Sequence, residues 1–135
     1  MKTTNFEISK KLKEIGFEAE FNFHYKATDP VNLYDSGYED YKERNTPSYD
    51  LETLIGALPK DISVKHKYYI QFLFIQLADG PIKIGYYEPC TEYQGHYDMR
   101  EDVFESRQEE TESLADTAGK MLIKLFEAGI INFNK

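Results

Sequence analysis

SLADTAGKMLIKLFEAGII, residues 113–131, decides how this chain folds. Wound at the helical pitch, Leu114, Ala118, Met121, Leu122 and Leu125 form one apolar face. Ala115, Gly119, Ile123 and Phe126 carry that surface around one side. The whole spans roughly 200°, about twice the stripe a helix needs to meet one layer. Gly119 lies in the middle, where Gly is less favourable than Ala by about 1 kcal/mol. Ala115 and Gly119, four residues apart, let another backbone come close. Two partners suit that shoulder. One is the first helix, with Ile8, Leu12 and Ile15; the other is the same shoulder on a second copy, since a two-fold interface is self-complementary. The first helix is preferred, because its own stripe needs a home. Ala115, Gly119 and Ile123 are therefore packing or interface residues, and no phosphate loop is implied.

The same helix is expected to begin between Ser106 and Glu112, with Glu109, Glu110 and Glu112 at its positive end. Asp116, Lys120 and Lys124 stack at i, i+4 on the side expected to be wet. Gly129 and Ile130 predict a left-handed cap folding toward Leu125, after which "IINF" is expected to pair briefly with a sheet.

Outward from there, Thr4 and Glu7 have capping-box spacing before a helix over about residues 5–15, closed by Gly16 with Phe17 folding back onto Leu12. "FEAEFNFHY", residues 17–25, alternates apolar and polar and predicts a strand. Residues 27–48 read as loop, with "VNLYD" as a short edge strand. Asp50 caps a short helix with Leu51, Leu54, Ile55 and Leu58 on one face, and Pro59 stops it. "KYYIQFLFIQLADGPIKIGYYE" predicts a central strand, a turn at 79–81, and a return strand with Ile82, Ile84 and Tyr86 on one side. "YDMREDVFES" is a further candidate strand. The expected class is α+β: one domain, 1–135, with an antiparallel sheet of three to four strands. N-terminal and C-terminal helices pack on one face, and a short helix lies in the middle.

Twenty-four Asp and Glu against sixteen Lys and Arg give a net charge of −8. That field repels phosphate backbones, so nucleic acid is not an expected partner and a basic protein surface is. One cysteine, Cys90, allows no intramolecular disulfide and suits a reducing compartment. The N-terminus lacks the apolar core of a signal peptide, and "YYIQFLFIQLA" is too short to cross a bilayer as a helix. A cytoplasmic location without membrane contact follows as the expectation.

His24, His66, His96 and Cys90 are the candidate soft metal ligands, but their spacing matches no zinc or calcium motif, so neither metal nor cofactor is expected. Cys90 and His96, with Asp98 to orient the ring, offer a nucleophile–base pair within one loop. The aromatic set is skewed: eleven Tyr, nine Phe and no Trp. Tyr34, Tyr38, Tyr41 and Tyr49 stand among acids in one loop and Tyr86, Tyr87, Tyr93 and Tyr97 in another; six of these eight, Tyr34, Tyr38, Tyr41, Tyr87, Tyr93 and Tyr97, are singled out. Tyr offers large contact area at low entropy cost, and acids beside it suit Lys or Arg. These six are the candidate partner-binding residues.

Three stretches, "SKKLKEIGF", "YDLETLIGALP" and "ESLADTAGKMLIKLFEAGII", together resemble small proteins of unknown function encoded by phages, prophages and mobile elements. The resemblance implies a sheet framed by helices and no particular activity. The leading functional expectation is a small acidic protein-binding domain, monomer or homodimer. An anti-defence DNA mimic and a cysteine-dependent enzyme using Cys90 and His96 are the alternatives.

Overall fold

A computed structural model describes residues 2–26, 29–35, 45–64, 67–74, 82–87 and 102–133. Its elements in chain order are α1 (Phe6–Glu14), β1 (Phe23–Lys26), β2 (Asp29–Asp35), β3 (Thr46–Ser48), α2 (Leu51–Ala57), β4 (Asp61–Val64), β5 (Lys67–Phe74), β6 (Lys83–Tyr87), β7 (Asp102–Arg107) and α3 (Leu114–Glu127). The class is α+β, with helices near both ends, a short middle helix and an antiparallel four-stranded sheet ordered β4-β5-β6-β7. β5 is interior, and it pairs with β6 from Ile70↔Tyr87 to Phe74↔Lys83. β7 returns beside β6.

A second antiparallel sheet, β2-β1-β3, adds to that expectation. The strand expected over 17–25 pairs only from Phe23 to Lys26. Phe17 belongs instead to the end of α1. Its N–H donates to Leu12 O at 3.0 Å and the Gly16 N–H to Lys13 O at 3.1 Å, a closure that needs Gly16 at φ +94°. The alternation holds only at its start: Phe17 is buried and Glu18 and Glu20 are exposed, but Phe21 is exposed as well.

α1 starts differently from the Thr4–Glu7 box. Asn5 is the N-cap, and its Oδ1 accepts from the Ile8 N–H at 2.9 Å. Thr4 is fully buried and serves as a hub between α1 and β3. Its Oγ1 lies 2.6 Å from Ser9 Oγ and accepts from the Tyr49 N–H at 3.1 Å. Its carbonyl accepts from Ser48 Oγ at 2.6 Å and Tyr25 OH at 3.1 Å.

α3 is the centre of the molecule, packed against β6, β7, α1 and α2. Ala115 through Gly119, Met121 through Ile123, and Leu125 are all buried. Below it, β6 contributes the fully buried Ile84 and Tyr86. Ser106 of β7 donates to Thr117 O at 2.8 Å. The glycine shoulder lies against α1 of the same chain. A Cβ placed on Gly119 would sit 2.7 Å from Ile8 Cγ2, 3.4 Å from Thr4 Cγ2 and 3.5 Å from Leu12 Cδ1.

Three further expectations about this helix are corrected. It begins at Ser113, later than 106–112, because Ser106 is still in β7 and Ser113 supplies the cap. Asp116 is 3 % exposed, so it is not on the wet side with Lys120 and Lys124. Residues 131–133 pair with no strand; Phe133 instead packs its ring on Phe17 at 5.4 Å and on Phe126 at 5.9 Å. Lys120 Nζ donates to Arg107 O at 3.0 Å and Lys124 Nζ to Glu105 O, strapping the polar side of α3 to β7.

Three phenols are built into this core. Tyr49 is 2 % exposed, edge-on to Phe17 at 4.9 Å; Tyr86 donates to Pro59 O at 2.7 Å. Burial pushes the Tyr49 phenol up to about 12, partly offset by a hydrogen bond from the Ala19 backbone, and burial also raises Tyr86 and Tyr25. The folded chain thus holds these protons more tightly than the unfolded chain. Stability is complete below the ordinary value of 10.0 and falls as pH climbs toward 12. For Tyr49 the slope is about 1.4 kcal/mol per pH unit in that window. Urea unfolding across the window should show the decline, and Tyr49→Phe should remove about one tyrosine's share of it. An unchanged slope in Tyr49→Phe would contradict the assignment.

Candidate functional site

The site is a groove of about 870 Å³ beside α2 and the start of α3. Asp50 sets one wall: its Oδ1 accepts from the Thr53 N–H at 2.9 Å and starts α2. The apolar stripe of α2 then divides. Leu54 and Leu58 are buried, while Leu51 and Ile55 are only half-buried and line the groove with Gly56. Leu114 and Ala115 of α3 complete the apolar floor.

The other wall is set by the approach to α3. The Gln108 N–H donates to Ile82 O at 2.9 Å, and Gln108 Nε2 donates to Glu112 O at 2.9 Å, which fixes the connection out of β7. Ser113 Oγ accepts from the Asp116 N–H at 3.2 Å, and Asp116 Oδ2 accepts from the Ser113 N–H at 3.0 Å, a complete capping box. Asp116 Oδ1 also accepts from the Asn5 N–H at 2.6 Å. One buried carboxylate thus satisfies donors at the starts of two helices, where both dipoles favour negative charge. The sequence reading placed Asp116 in water; the S-x-x-D pattern of Ser113 and Asp116 was the signal that could have located it.

The rim is mixed but mainly acidic: Asp50, Glu52 and Glu112 face Lys2 and Gln108. Glu112 Oε1 is met by Lys120 Nζ at 2.7 Å. Glu52 is exposed and no described residue pairs with it. The groove's described lining contains neither histidine nor cysteine, and the Ser113 hydroxyl is committed to its cap. The apolar floor and the carboxylates on the rim suit apolar and cationic groups. Among the described residues no group of His, Cys, Asp and Glu could hold a metal ion.

The chain matches no known protein family, no curated protein and no solved structure.

Two of the sequence-predicted partner residues, Tyr34 and Tyr87, fall on described strands. Tyr34 lies on β2, stacked on His24 at 6.1 Å with Lys26 Nζ 4.3 Å from its ring centre. Tyr87 ends β6 in the other sheet. Tyr38, Tyr41, Tyr93 and Tyr97 lie outside the described residues, as do Cys90, His66, His96 and Asp98. Of the packing set, Ala115 and Gly119 are buried and Ile123 is 9 % exposed. No helix among the described residues is long and apolar enough to cross a membrane.

Proposed function

We propose that this chain is a small acidic protein-binding module whose docking site is the groove between α2 and the start of α3. The observation that carries the reading is the split stripe of α2. Leu51 and Ile55 follow the same spacing as Leu54 and Leu58, yet they line an open groove. Apolar surface rimmed by charge is the usual composition of a recognition patch. The net charge of −8 supports a basic partner. The single cysteine supports action in a reducing compartment such as the cytoplasm, and the resemblance of three stretches to phage and mobile-element proteins supports an origin there.

A photo-crosslinking amino acid at position 55 tests the reading, with position 26, exposed on β1, as the control. In an extract of the native host, position 55 should yield one adduct of discrete size and position 26 none. Equal labelling at both positions, or none at position 55, would refute it.

A further inference from the structure

Among the four described glycines outside the strands, Gly16, Gly56, Gly119 and Gly129, three have an evident reason and one does not. Gly16 and Gly129 adopt positive φ, at 94° and 78°. Gly119 makes room for Ile8, at 2.7 Å from where a Cβ would be. Gly56 sits in the last turn of α2, its φ is not positive, and a Cβ there would meet nothing within 4 Å. Alanine would suit the helix better by up to about 1 kcal/mol. Neither backbone conformation nor packing among the described residues asks for the missing side chain. What its absence does is keep one wall of the groove bare. Glu52, one turn earlier on the same face, puts an exposed carboxylate beside that bare spot.

We infer that the groove takes a basic amphipathic segment, docked as a helix whose backbone crosses α2 at Gly56. This rests on the protein-binding reading and adds the chemistry of the partner. Apolar residues at i, i+3 and i+4 of the segment lie on Leu51, Ile55 and Leu114, and a Lys or Arg meets Glu52. The crossing repeats the device that the molecule already uses inside, where α1 crosses α3 at Gly119. The groove is more open than enclosed, whereas a small molecule would call for a site that encloses most of its surface.

The test is selection from a displayed library of short random peptides on the full chain. Selected peptides are then titrated against wild type, Gly56→Leu and Glu52→Lys. Both substitutions are at exposed positions, so the melting temperature should hold within a few degrees. Enrichment of Lys and Arg among spaced apolar residues is expected. Affinity should weaken at least about tenfold in Gly56→Leu, equivalent to about 1.4 kcal/mol, and severalfold in Glu52→Lys. Peptides that need Gly56 but carry no basic residue would overturn this inference and leave the protein-binding reading standing. Peptides indifferent to Gly56→Leu, or none selected, would overturn both. If only anilinonaphthalene sulfonate responds to Gly56→Leu, the groove belongs to a small ligand and both readings fail.

Discussion

Asp116→Ala is expected to lower the free energy of unfolding by about 3–5 kcal/mol, the largest loss from any single truncation of a polar side chain among the described residues. The carboxylate is 3 % exposed and accepts from Asn5 N–H at 2.6 Å and from Ser113 N–H at 3.0 Å. Alanine leaves two backbone donors without their charged acceptor, each costing about 1–3 kcal/mol. It also removes the negative charge from the start of two helices. Against a typical total of about 5–15 kcal/mol, this is a large fraction. Asp116→Asn should lose less, because one amide oxygen can still accept while the amide nitrogen faces a donor. Ser113→Ala should lose only about 1 kcal/mol, the usual value of a cap. Urea unfolding with an unchanged m-value is the measurement. A loss below about 1 kcal/mol for Asp116→Ala would show that the two helix starts do not depend on this group.

Gly119→Leu should be nearly as severe, at about 3 kcal/mol. Even a single added carbon is 2.7 Å from Ile8 Cγ2, with Thr4 and Leu12 behind it at 3.4 and 3.5 Å. Cγ2 of a β-branched side chain cannot swing aside without changing rotamer, so α1 must move away from α3. Gly119→Ala combines a gain of about 1 kcal/mol in helix propensity with an overpacking cost of about 1–3 kcal/mol, and a modest net loss is expected. Gly129→Ala is the contrasting case, since nothing lies within 4 Å of its Cβ position and only its φ of 78° resists substitution.

Much of this architecture is legible in periodicity. The wide apolar arc of residues 114–126 announces a helix covered on more than one side, and Gly119 points to what covers its shoulder. The stop signals at Gly16, Pro59 and Gly129 sit where the helices end. What periodicity could not show is which polar residue a tertiary contact would claim. Asp116 has the spacing of a wet-side charge with Lys120, yet the start of α1, 111 residues away in sequence, takes its second oxygen. Thr4 has the spacing of a cap, but burial against β3 turns it into a core hub and Asn5 caps in its place. Residues 17–22 alternate in sequence like a strand, but only Phe17 faces fully inward and Phe21 is exposed, and alternation alone does not supply a pairing partner. The groove was hidden for a related reason. A stripe of four apolar residues on α2 looks fully used, and only its placement against α3 shows that Leu51 and Ile55 remain half open.

A double-mutant cycle between Ile8 and Gly119 tests the central contact most directly. Unfolding free energies are measured for wild type, Ile8→Ala, Gly119→Ala and the double variant. If α1 closes on α3 at this point, removing Cγ2 makes room for the added carbon. Gly119→Ala, destabilising in the wild-type background, should then become neutral or stabilising beside Ile8→Ala, with a coupling of about 1–2 kcal/mol. The same cost for Gly119→Ala in both backgrounds would mean that Ile8 does not cover this flank of α3.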